Sequence, residues 1–176
     1  MKKTNEVSST YLLFHEIDIE SAENVVEWIL ENNSLDDSIK HKYLTLIINS
    51  EGGNLTSAFC IIDMMNLSNI PIKTLGTGEI MSAGLMIFMN GAKSHRVLTK
   101  NTSILSHGFS AGSQGKYHDL KAIQKEFTMV NDRMLNHYIK CTGLPKLKVE
   151  KHLLNSDDFY MSPSEALSYG ICDEVV

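Results

Sequence analysis

The stretch YLTLIIN at 43–49 constrains this fold more than any other in the chain. A continuous β-branched and aliphatic run of this length reads as a strand covered on both faces, as in a parallel sheet. SEGG (50–53) breaks the run, and NLTSAFCIIDMMN (54–66) returns to helical spacing through Leu55, Phe59, Ile62 and Met65. Strand, glycine turn and helix in succession form half of a βαβ unit, which requires a second parallel strand.

That alternation extends along the chain. TYLLF (10–14) reads as a short strand, and DIESAENVVEWILEN as a helix with Val25, Val26, Ile29 and Leu30 on one face and Ser21 as its N-cap. PIKTLGTGE (71–79) is a strand opened by proline, followed by a helix from about Ser82 to Asn90. RVLT (96–99) and SILSH (103–107) are short strands. From Gln114 to Ile139, Leu120, Ile123, Phe127, Val130, Met134 and Tyr138 mark a long amphipathic helix that GLP (143–145) ends. A shorter helix reaches about Leu154. SPSEALSYG (162–170) carries a capping Ser162, Pro163 in the first helical position, Glu165 closing a capping box and Gly170 as a stop. ICDEVV is a final strand. The expected class is α/β with a largely parallel sheet, in one domain spanning 1–176.

Composition narrows the function. The 176 residues carry 16 Lys and Arg against 21 Asp and Glu, a net charge of −5 with the cations scattered, so a nucleic-acid footprint is not expected. The basic start, MKKTNEVSSTYLLFHE, has an apolar run only from Tyr11 to Phe14, too short for a signal peptide or membrane span. No membrane partner and a cytoplasmic location are expected. Cys60, Cys141 and Cys172 read as free, buried thiols in a reducing compartment. No ligand spacing points to a metal, and no cofactor is expected.

In open α/β sheets, sites form where strand ends turn into helices. Two such turns contain glycine: Ser50–Gly53, and Gly76 through Ser82. Their outward amides and a helix N-terminus are the parts of an oxyanion hole. On its own, SEGG is an ordinary tight turn, and Ser82 is an ordinary helix cap. A reactive hydroxyl needs a base. Of the seven histidines, His107 directly follows the strand SILS, which puts it on the same rim as Ser82 if the strands run parallel. His95 and His118 lie in polar surroundings, and the remaining histidines are expected at the surface. Asp157 and Asp158, before Phe159–Met161, are the carboxylates available to hold an imidazole.

At these residues the chain resembles the ClpP family of serine peptidases. The matching pieces, in order, are IINSEGG against INSPGG, GEIMSAG against GQAASMG, GAKSHR against GAKGKR, and NTSILSH against NSRVMIHQP. CTGLP after the long helix follows, then DDFYMSPSEALSYGICDEVV against RDRFLSAEEAKEYGLIDEV. The resemblance covers residues 43–176. It implies a crotonase-like ββα superhelix (the ClpP fold) with a projecting strand–long-helix handle at about 108–140. It also implies Ser82 as nucleophile, His107 as general base, Asp158 as orienter, and the backbone amides of Gly53 and Ala83 as oxyanion donors. The implied activity is serine endopeptidase cleavage of unfolded polypeptides or short peptides. It would take place inside a homo-oligomeric heptameric ring, stacked as a tetradecamer, with an AAA+ unfoldase or other ClpP subunits as partners.

Several positions depart from the family pattern. Only about ten residues precede TYLLF, so docking to an unfoldase is expected to be altered, weak or absent. Glu51 replaces a proline beside the substrate strand, and Phe109 replaces another after the histidine. Asp157 stands where the family has an arginine used between rings, and two extra residues after CTG leave Asp157 as an alternative to Asp158. Two other functions compete. A non-catalytic ring subunit is disfavoured by the complete triad. A crotonase-type acyl-CoA enzyme has no use for Ser82, His107 and Asp158 together.

Overall fold

In a computed structural model, the structure describes residues 7–176. The basic residues at the very start, and the docking expectation attached to them, lie outside the described residues. The strands are β1 (Thr10–Leu13), β2 (Leu44–Ser50), β3 (Ile72–Met81), β4 (Arg96–Leu98), β5 (Ser103–Ser106), β6 (Phe159–Met161) and β7 (Glu174–Val175). The helices are α1 (Ile19–Asn33), α2 (Leu55–Leu67), α3 (Ser82–Met89), α4 (Tyr117–Thr142), α5 (Lys146–Lys148) and α6 (Pro163–Ser168), with a π-turn, Val149–Leu153, directly after α5.

The sheet runs β1-β2-β3-β4-β7, with every neighbouring pair parallel. Each crossover from β1 to β4 advances in the same direction, and right-handed crossovers of that kind stack their helices on one face. Accordingly α1 packs on α2 and α2 on α3. This explains the burial along β2: Leu44, Leu46 and Ile48 are fully covered while Thr45, Ile47 and Asn49 are half-buried. The second face is therefore less covered than the apolar run predicts.

β3 has two partners in succession. Thr74–Gly76 pairs with β4, and Glu79–Met81 continues past a register shift to pair in parallel with β5. β6 closes antiparallel on β5.

Four local expectations change. Helix α1 is capped by Asp18, whose carboxylate accepts from the Ser21 amide at 2.8 Å while Ser21 Oγ accepts from the Asp18 amide at 2.9 Å. Ser21 is thus the third helical residue of a reciprocal capping box, not the cap. Cys60 is exposed, whereas Cys141 and Cys172 are buried. His137 is buried rather than solvated. Its Nε2–H donates to the Met86 carbonyl at 2.9 Å, joining α4 to α3, and burial lowers its pKa. Finally, residues 107–116 form no strand. An extended segment needs a neighbouring edge to satisfy its ladder, and this chain offers none there.

The long helix is the handle. Its C-terminal half buries Met134, Leu135, His137, Tyr138 and Cys141. Its N-terminal half projects, leaving Tyr117 65%, Leu120 37% and Met129 47% exposed, and Phe109 stacks edge-on against Phe127 at 5.6 Å. In β4, Arg96 is buried against Asp173 through three hydrogen bonds of 2.6–3.0 Å and donates a fourth to the Cys141 carbonyl in the last turn of α4. No described helix is long and apolar enough to cross a membrane.

Candidate active site

Ser82 is the first residue of α3, at the point where β3 ends. The cap of that helix is Met81, so the Ser82 hydroxyl does no capping. Its φ is 50°, left-handed for a non-glycine residue. Such a conformation costs about 1–3 kcal/mol and persists only where the surroundings impose it. What the turn gains is direction: Ser82 Oγ lies 2.9 Å from His107 Nε2.

The approach of these two residues follows from sheet register. Met81 pairs with Leu105 in the parallel β3–β5 ladder. One residue beyond Met81 and two beyond Leu105, the chains leave the sheet on the same rim. Ser106, between Leu105 and His107, is buried; its hydroxyl donates to the Leu153 carbonyl and accepts from the Tyr138 hydroxyl at 3.0 Å. A carbonyl only accepts, which sets both directions. The strand carrying His107 is thereby tied to α4 and to the π-turn.

The tautomer of His107 is fixed by the same reasoning. Nδ1 lies 2.8 Å from the Gly108 carbonyl, so Nδ1 bears the proton and the neutral ring has a bare Nε2. Ser82 O–H then donates to Nε2, the arrangement a general base requires.

Beneath Ser82 lies the Ser50–Gly53 turn. Ser50 Oγ donates to the His15 carbonyl at 2.7 Å and accepts the Gly52 amide at 3.2 Å. Ile17 clasps the turn from outside, its amide to the Gly52 carbonyl and its carbonyl from the Asn54 amide. Gly52 has φ 104°, and a Cβ there would stand 2.8 Å from Ser82 Cβ and 3.1 Å from the Ala83 nitrogen. Only glycine brings this turn so close. The Gly53 amide has no hydrogen-bond partner among the described residues, and the Ala83 amide belongs to the first turn of α3, where no intrahelical acceptor exists. Two free donors beside a hydroxyl–imidazole pair can hold the oxyanion of an acyl transfer.

Asp158 is placed differently. Extending the antiparallel β5–β6 ladder one step past Ser106–Phe159 sets Asp158 opposite His107. Register therefore points to Asp158 rather than Asp157, whose amide is taken by Asn155 Oδ1 at 2.8 Å. The Asp158 side chain is exposed and makes no hydrogen bond to His107; the proton an orienter would accept goes to the Gly108 carbonyl. Sequence reasoning missed this carbonyl, as it missed the Ser106–Tyr138 link, and only the glycine after His107 hinted at a close backbone approach.

Residues 6–176 match the family described as Clp protease. Over 142 residues the chain is 34% identical to the ATP-dependent Clp protease proteolytic subunit of Deinococcus radiodurans, spanning 81% of this chain and 69% of that protein. Among solved structures, a ClpP1 point mutant from Listeria monocytogenes superposes with a TM-score of 0.84 at 28% identity, covering 97% of this chain and 92% of that one.

Proposed function

The chain belongs to the Clp protease family, and on that premise we propose that it is a serine endopeptidase acting through Ser82 and His107. The observation that carries the reading is the 2.9 Å hydrogen bond from Ser82 to a histidine already in its base tautomer, beside the free amides of Gly53 and Ala83.

In this mechanism Ser82 Oγ attacks a peptide carbonyl carbon while His107 Nε2 takes its proton. The amides of Gly53 and Ala83 hold the tetrahedral oxyanion. His107 gives its proton to the leaving amine, which departs. A water molecule, deprotonated by His107, then attacks the acyl-enzyme and restores Ser82. Asp158 contributes negative charge near the imidazolium, from the register position opposite it.

The substrates are unfolded polypeptides and short peptides. The exposed Glu51 next to Gly52 gives the cleft rim a negative charge that favours basic over acidic side chains near the scissile bond. The working form is a homo-oligomeric ring, a heptamer stacked as a tetradecamer. Its assembly buries the apolar stripe of α4 left open in the single chain. The Deinococcus relative is named as the proteolytic subunit of an ATP-dependent protease; by analogy, unfolding falls to a partner ATPase and hydrolysis to this chain. Labelling with a fluorophosphonate tests the reading. A covalent adduct on Ser82 in the assembled protein is expected, and its absence leaves a non-catalytic ring subunit.

A further inference from the structure

We propose that Asn49 is a positioning residue for this reaction: its side-chain oxygen locks a bulge in β3 at Glu79, and the register so fixed sets Ser82 against His107. The inference rests on the reading of Ser82 and His107 as nucleophile and base.

β3 changes partner in mid-course, and its pairing with β2 is interrupted there. Ile48 pairs with Gly76, and Ser50 with Ile80. One residue of β2, Asn49, therefore faces three of β3, Thr77, Gly78 and Glu79. Extra residues on one strand leave backbone groups without ladder partners and re-aim whatever follows them. Before the bulge, the Gly76 carbonyl accepts the Thr99 amide at 3.0 Å and the buried Thr102 hydroxyl at 3.2 Å, which ties β3 to the turn between β4 and β5. After it, Ile80 and Met81 pair with Ile104 and Leu105. Between these two stretches the Glu79 amide donates to Asn49 Oδ1 at 3.0 Å. An amide N–H only donates, so the Asn49 atom it meets is the oxygen. The side chain thus replaces a ladder acceptor at the point where one residue stands against three. Gly78 makes room for it: its φ is 64°, and a Cβ there would run into Asn49 Oδ1 and stand 2.9 Å from Asn49 Cγ. The consequence reaches Ser82, three residues beyond Glu79. A slip of one residue past the bulge shifts the strand by about 3.3 Å and turns its side chains over. The 2.9 Å hydrogen bond from Ser82 to His107 survives neither change.

Two substitutions separate positioning from mere support. Asn49→Ala removes the acceptor, and Asn49→Asp keeps one. The test is steady-state hydrolysis of a fluorogenic peptide, together with the second-order rate of fluorophosphonate labelling of Ser82, in the full-length, assembled wild type and both variants. A misplacement of about 1 Å costs about 10² in rate. Asn49→Ala is therefore expected to lose about 10² in kcat and in labelling rate, with KM within about threefold and the particle mass unchanged. Asn49→Asp is expected to stay within about tenfold of wild type, because a carboxylate oxygen accepts the same amide. The proposal is overturned by a wild-type kcat in Asn49→Ala, by Asn49→Asp no better than Asn49→Ala, by a loss confined to KM, or by a loss that tracks a fall in particle mass. A wild-type protein that takes no label at all overturns the peptidase reading. A labelled wild type with an equally labelled Asn49→Ala overturns this inference alone.

Discussion

Ser82 carries a conformational strain that helix capping does not explain. Held at φ 50° by the Gly52 turn beneath it, the residue would be relaxed by glycine, which adopts this region freely. Ser82→Gly is therefore expected to raise the melting temperature, by the equivalent of about 1 kcal/mol, while abolishing hydrolysis of a fluorogenic peptide. Ser82→Ala is expected to lower kcat by about 10⁶ and leave the particle mass unchanged. Residual cleavage near the wild-type rate would assign the chemistry elsewhere. Gly52→Ala tests the support: its Cβ would fall 2.8 Å from Ser82 Cβ at an unfavourable φ. Both stability and turnover should drop, and a variant of normal activity would show that the turn yields easily.

Among the elements, two buried polar links carry pH dependence of opposite sign. Tyr138 of α4 is fully buried, and burial pushes its phenol up to about 12. Folding favours the neutral phenol, so this contribution is complete below pH 10 and lost as pH rises from 10 toward 12. Melting temperatures should fall across that window, and less steeply in Tyr138→Phe. Asp173 behaves conversely. Burial alone would raise its pKa, but the hydrogen bonds and charge of Arg96 outweigh it and hold the carboxyl below its ordinary 3.8. Its contribution is present above 3.8 and disappears as pH falls below that value. Asp173→Ala leaves a guanidinium only 3% exposed without its partner, a loss of about 3–5 kcal/mol in chemical denaturation. A loss under 1 kcal/mol would mean that water reaches Arg96.

At the scale of the whole molecule, the projecting half of α4 is the surface a single chain cannot cover. Leu120, Ile123, Phe127 and Val130 recur at helical spacing beyond the last residue packed on the body. Ile123→Lys with Val130→Lys should reduce the particle to small species in sedimentation while the far-ultraviolet dichroism stays native. An unchanged particle mass would place the assembly contacts on another face. Much of this architecture was legible beforehand: strand–helix alternation gives the parallel order, and a 3.6-residue period gives the length of the handle within three residues at either end. Whether the handle carries the strand that the resemblance implies was not legible, since extended backbone is stable only beside a second edge, and no residue in the stretch announces whether one is present.

The sequence by itself determined the order of the elements other than β6, a tight turn after β2, and, once the strands run parallel, Ser82 and His107 on one rim. These follow from hydrophobic period, glycine placement and the chemistry of individual side chains, all of which are written in the letters. Tertiary structure alone decided that Asp18 rather than Ser21 caps α1, that Cys60 faces outward, that β6 pairs with β5, and that the His107 Nδ1 proton goes to the Gly108 carbonyl rather than to Asp158. The physical reason is common to these. Each is settled by which atoms meet in space, and the deciding group in the last case is a peptide oxygen, identical at every residue and so invisible in any sequence.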